Sequence, residues 1–162
     1  MVADGSGADR GAAVAWLLDR DEISALLHAY AWHFDHNEPE AIADLFTDDA
    51  VIDYGPEFPP IRGRETIVDR IRPGLEAIFS ATSHHISNIS ISSGGDGEAR
   101  GTAYVHAWHR YADGSPDGYL WGYYECRFRR SEAGWHIAAM VLRIAGMVDF
   151  HRSVMHPTGR RA

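Results

Sequence analysis

The chain carries ten histidines in 162 residues, and two of them stand side by side in "TSHHISN" at positions 82–88. The flanking residues read as a strand, and successive side chains of a strand point to opposite faces, so His84 and His85 cannot share an environment. At most one of them faces a given pocket. A neutral imidazole accepts a proton near neutral pH, which makes the inward one a candidate general base. A carboxylate candidate is Asp35, placed where a first helix is expected to end. That end carries unpaired carbonyls and a negative partial charge, so the carboxylate there calls for a cationic or protonatable partner unless solvent alone covers it. Tyr30, five residues earlier on the apolar stripe of the same helix, either offers its hydroxyl to a cavity or is a core tyrosine bonded to backbone. Tyr54 closes a strand just before Gly55, at a pocket-rim position. His106 shares one strand face with Tyr104 and Trp108, and these rings either line a hydrophobic small-molecule site or simply fill space between layers. No metal site is expected, because the one His pair at helical spacing, His33 and His36 in "HFDH", falls at a helix end with no suitable third ligand.

These residues need elements to position them. Residues 1–13 are rich in Gly, Ala and Asp without apolar periodicity and are expected to be a flexible leader. A first helix is expected from Asp19, with Asp19 as N-cap and Glu22 completing the capping box, through Ile23, Leu26, Leu27, Tyr30 and Phe34. "NEPE" signals a second short helix capped by Asn37, ending at Phe46. "AVIDY" reads as a strand, "GPEFPPIRG" as a loop, and residues 64–79 as a third helix kinked at Pro73. Beyond residue 82 four apolar runs separated by Gly- and Asp-rich breaks predict an antiparallel meander. Three helices followed by a sheet that curls around them is an α+β domain over residues 14–150, leaving 151–162 as a tail that covers a pocket or an interface.

Composition narrows the partners. With 45% hydrophobic and 23% charged residues, the chain is long enough for one core and too short for two. A net charge of −8 without clustered Lys or Arg argues against nucleic acid and anionic membranes. The single Cys126 precludes an intrachain disulfide, no apolar run reaches membrane-spanning length, and the first residues lack a signal-peptide pattern, so a cytoplasmic protein is expected. Apolar residues on both faces of "ARGTAYVHAWH" and "YLWGYYECRF" predict a homodimer or higher homo-oligomer.

Taken in order, "HFDHNEPEAIADLFTDDAVIDYG", "IRGRETI", "TSHHISN" and "GWHI" resemble the SnoaL-like branch of the nuclear transport factor 2-like superfamily over residues 15–150. The resemblance implies three N-terminal helices packed in a strongly curved, mixed but mostly antiparallel sheet forming a cone-shaped barrel. It implies an Asp–His dyad, here Asp35 and His84, the latter picked by its four-residue spacing to Asn88. His85 then faces away. Scytalone dehydratase-like relatives add two tyrosines and a second histidine, for which Tyr30, Tyr54 and His106 are the counterparts, and some members add an arginine on the last strand, for which Arg143 is the candidate. Ketosteroid isomerase shares the fold but uses a carboxylate base, an arrangement not evident in this chain.

The function so implied is a cofactor-independent, dehydratase-like lyase acting on a hydrophobic cyclic or polyketide-like small molecule. Asp35 orients, His84 abstracts, and the tyrosines donate to a developing enolate oxygen. Isomerisation or cyclisation by the same dyad, and a non-catalytic ligand carrier or helper subunit, are the alternatives.

Overall fold

The computed structural model describes residues 6–159. The order is α1 (Ser6–Asp35), α2 (Pro39–Asp44), β1 (Phe46–Asp53), β2 (Ile61–Arg62), α3 (Arg64–Pro73), a π-helical turn (Gly74–Ile78), β3 (Phe79–Gly95), β4 (Glu98–Tyr111), β5 (Gly118–Ser131) and β6 (Gly134–Val148). The helices pack on one face of a six-stranded sheet of order β2-β1-β6-β5-β4-β3. Strands β3 to β6 form the antiparallel meander, whereas β1 runs parallel to β6, so the sheet is mixed. It is an α+β fold, but the expected barrel is not closed: β2 and β3 are free edges.

Three local expectations are corrected. α1 begins at Ser6, not Asp19, so residues 6–13 of the expected leader are helical and residues 1–5 lie outside the described residues. Ala-rich "GAAVA" favours helix, and the carboxylates read as a cap serve instead as tertiary anchors. Asp19 accepts from Arg130 Nη1 at 2.8 Å and from the Trp135 indole at 3.0 Å, and Glu22 accepts from the Trp135 backbone N–H at 2.9 Å. They tie α1 to the β5–β6 hairpin. Asn37 does not cap α2; Glu38 holds that place without a side-chain bond, while Asn37 takes a left-handed φ of 55° just past α1. α3 ends at Pro73, after which the chain winds as a π turn, and the loop before α3 contains the two-residue β2.

The core lies between α1 and the concave sheet face. Ile23, Leu27 and Tyr30 of α1 meet Phe46, Ile52, Phe128, Ile137 and Met140, all essentially buried. On β4 the inward residues are Ala103, Val105, Ala107 and His109, while Tyr104 and His106 point outward. On β3 the parity changes along the strand. Ser87 pairs with Tyr104 and Ser90 with Thr102, so Asn88 and Ile89 together oppose Ala103 in a β-bulge, and Asn88 has φ 47°. Ile86 packs inward before the bulge and Ile89 and Ile91 after it, which explains why the three isoleucines hold no single parity.

Candidate active site

Asp35 is the last residue of α1, and β3 passes beside it. Its carboxylate accepts three hydrogen bonds: from the His84 backbone N–H at 2.8 Å, from the Thr82 hydroxyl at 2.8 Å, and from His84 Nδ1 at 2.7 Å. The donors from β3 thus supply the compensation that a carboxylate at a helix C-terminus needs. Burial pushes the Asp35 carboxyl up, but the His84 and Thr82 hydrogen bonds and the interaction with the imidazole outweigh it and hold it below the ordinary range. Because the carboxylate takes up Nδ1–H, the neutral tautomer leaves its lone pair on Nε2. The ring is fixed between Phe34, 4.7 Å away by centroids, and His109, 5.3 Å away and edge-on. The His84 side chain is 5% exposed and the Asp35 side chain 20%. His85 is exposed, near the Ser83 hydroxyl.

His84 lines a cavity of about 640 Å³ between α1, α3, the sheet and the C-terminal tail. A smaller cavity of about 290 Å³ reaches Asp35 from behind, past Thr82 and Glu76. In the large cavity the Tyr30 and Tyr54 hydroxyls are 2.6 Å apart, and Tyr124 lies edge-on to Tyr30 at 5.8 Å. Burial, with the neighbouring phenols, raises Tyr30 well above its ordinary pKa. Burial pushes Tyr54 up to about 12 even though the Tyr30 hydrogen bond and the Arg152 charge pull the other way. Both phenols therefore stay protonated at neutral pH, with one O–H donated within the pair and the other left to donate.

The structure brings Tyr30, Tyr54, Asp35 and His84 together but not His106 or Arg143. His106 faces outward, stacked with Trp121 across β4 and β5, because its neighbours Val105 and Ala107 take the buried inward positions of β4. Arg143 also faces outward, where Nε donates to Glu125 at 3.0 Å, since its neighbours Leu142 and Ile144 take the inward positions of β6. The second histidine of the cavity is His109, 3% exposed. Burial and the neighbouring His84 lower its pKa to about 3, so it is neutral, and among the described residues its buried Nδ1 has no hydrogen-bond partner. Its signal in the sequence is parity: it is the one polar residue in the run Ala103, Val105, Ala107, His109.

The tail forms part of the cavity wall. Phe150, His151, Arg152 and Met155 line it. The tail is held by Tyr111, whose hydroxyl donates to Asp149 O at 3.0 Å and accepts from His151 N–H at 2.9 Å, and by His156 Nε2 against Asp53 at 3.0 Å. Among the described residues no three His, Cys, Asp or Glu side chains cluster as a metal site would require.

A SnoaL-like domain model matches residues 15–141. The chain belongs to the SnoaL-like family. Among solved structures, this SnoaL-like chain is 33% identical to a provisionally named scytalone dehydratase from Novosphingobium aromaticivorans DSM 12444, with a TM-score of 0.84 over 90% of this chain and 97% of that one. It is 28% identical to a provisionally named aromatic ring hydroxylase from the same genus and species, with a TM-score of 0.71 over 76% and 87% of the two chains. A hexachlorocyclohexane dehydrochlorinase from Novosphingobium barchaimii LL02 shares the fold, with 15% identity and a TM-score of 0.77 over 89% and 98%. No curated protein matches the chain. The SnoaL-like fold, with a neighbour named as a scytalone dehydratase, is a fold of the small-molecule lyase or isomerase type. No helix among the described residues is long and apolar enough to cross a membrane.

Proposed function

We propose that this SnoaL-like protein is a cofactor-independent lyase that eliminates water from a hydrophobic cyclic hydroxy-carbonyl compound. One observation carries the reading: a histidine whose Nδ1 is bound by a helix-end carboxylate faces a ring-lined cavity of about 640 Å³. His84 Nε2 takes the proton from the carbon next to the carbonyl, and Asp35 stabilises the imidazolium that forms. Charge develops on the carbonyl oxygen, within reach of the Tyr30 and Tyr54 hydroxyls, in a site where few waters compete. The C–O bond to the β-hydroxyl then breaks, a C=C bond forms, and the proton held by His84 leaves with the hydroxyl as water. His109, neutral and with Nδ1 unpartnered among the described residues, is suited to hydrogen-bond the departing oxygen.

The test is turnover of cyclic β-hydroxy ketones followed by enone absorbance, with product masses separating loss of water from isomerisation or cyclisation. H84A and D35N should each abolish most of the rate; unchanged rates in both would end this reading. The exposed rings of the outer sheet face, Tyr104 and Trp121 among them, also support self-association, which sedimentation of wild type against a Tyr104→Lys, Trp121→Lys variant would test.

A further inference from the structure

Of the fifteen arginines of this chain, six pair with carboxylates among the described residues. Arg64, Arg72, Arg110, Arg129, Arg130 and Arg143 each stand within ion-pairing distance of a carboxylate. Arg152 differs. Its guanidinium lies over the Phe58 ring at 5.0 Å and the Tyr54 ring at 5.7 Å, on the wall of the large cavity. Among the described residues no carboxylate reaches it as an ion pair, and no protein acceptor takes its N–H groups. Two rings flank a fork that has five donors and no acceptor.

The backbone on both sides of Arg152 is pinned. The Tyr111 hydroxyl accepts from His151 N–H at 2.9 Å, and Glu57 Oε2 accepts from Ser153 N–H at 3.0 Å and Val154 N–H at 3.4 Å. The nearby carboxylate of Glu57 is therefore engaged by the tail backbone. Asp53, on the same side, is engaged by His156 and by Gly55 N–H. The other permanent cation of the lining, Arg70, sits exposed on α3 beside Asp69. A held, half-buried guanidinium with free donors facing an apolar cavity is a site for a planar anion, because a carboxylate accepts two parallel N–H bonds from such a fork.

We infer that Arg152 is a specificity-determining residue and that the cavity takes a cyclic compound bearing a carboxylate, whose charge is held at the tail while its ring system fills the apolar interior. Calling that compound the substrate rests on the lyase reading above; its binding does not. The same charge lies beside the Tyr54 hydroxyl, so anion recognition and the tyrosine pair are adjacent parts of one wall.

The experiment compares two probes of nearly equal shape, 2-naphthoate and 2-naphthamide, by calorimetric titration near neutral pH and low salt. Charge-assisted hydrogen bonds discriminate by about tenfold to a hundredfold against a neutral counterpart. Wild type should bind the naphthoate at least about tenfold more tightly. R152Q should lose that preference while its naphthamide affinity stays within about twofold, and R152K, which keeps charge but not the fork, should fall between. H84A should keep the full preference, so that loss of catalysis and loss of anion recognition are read separately. Circular dichroism of R152Q confirms that the fold is intact. Equal affinities in wild type, an undiminished preference in R152Q, or saturation by neither probe would overturn the assignment.

Discussion

The two faces of β4 carry opposite chemistry. Outward it presents Tyr104, His106, Trp108 and Arg110; inward it presents Ala103, Val105, Ala107 and His109. The cavity meets β4 only at His109, and the rings that line it, Tyr30, Phe34, Tyr54, Phe79 and Tyr124 among them, come from other elements. Outward rings instead pair across strands, Tyr104 with Tyr123 at 5.9 Å and His106 with Trp121 at 6.4 Å. On this strand the inward histidine, and not the outward rings, marks the site.

Matched substitutions on the two sides of the sheet sharpen that contrast. The largest effect is expected from H84A, a loss of about 10²- to 10⁴-fold in turnover, whereas H106A on the outer face should stay within about twofold of wild type, both by initial rates. Y54F, which keeps the ring and removes one donor, should lower kcat by about 10²-fold if the phenol stabilises developing charge. Next comes volume. Ala107 is fully buried and paired in register with His84, so A107L should cost about 1–3 kcal/mol in urea unfolding, while Y104A outside should stay within about 0.5 kcal/mol. A destabilised Y104A and a neutral A107L would break the comparison.

Acid sensitivity is a smaller effect of the same asymmetry. His109 is held neutral down to about pH 3, whereas in the unfolded chain it binds a proton near pH 6.5, so between these values the unfolded state holds more protons and stability falls as pH falls. For this one group the loss from about pH 7 to about pH 6 is under about 1 kcal/mol. Asp35, whose carboxyl is held low, adds stability that is present above about pH 3.9 and is lost only at more acid pH, as pH falls through its folded-state value. H109F should flatten the loss between about pH 7 and about pH 6 in thermal unfolding followed across that range.

Much of the fold was legible because it rests on local rules. The meander followed from Gly- and Asp-rich breaks between apolar runs, and α2 followed from Pro39. The start of α1 was not, since Asp19 and Glu22 obey the capping pattern while serving Arg130 and Trp135, more than a hundred residues away. In the candidate site, Tyr30, Asp35, Tyr54 and His84 are gathered because each lies at an element end or on a stripe whose direction periodicity fixes. His106 and Arg143 were misplaced for one shared reason: alternation says that neighbours differ, not which of them is inside. That choice belongs to burial in the core, where the small residues beside His109 and the apolar Leu142 and Ile144 take the inward positions. Arg152 carries no periodic signal at all, because it sits in an irregular tail.

The bulge at Asn88 separates the segment of β3 that carries His84 from the one that carries Ile89 and Ile91, and their side-chain phases are independent. Inward positions are even-numbered at His84 and Ile86 and odd-numbered at Ile89 and Ile91. Changes in the far half of the strand, including loss of one residue there, would reset the outer segment without rotating His84 away from Asp35. The fold thus carries a built-in phase break between the part of its longest strand that must hold a fixed geometry and the part free to vary in length.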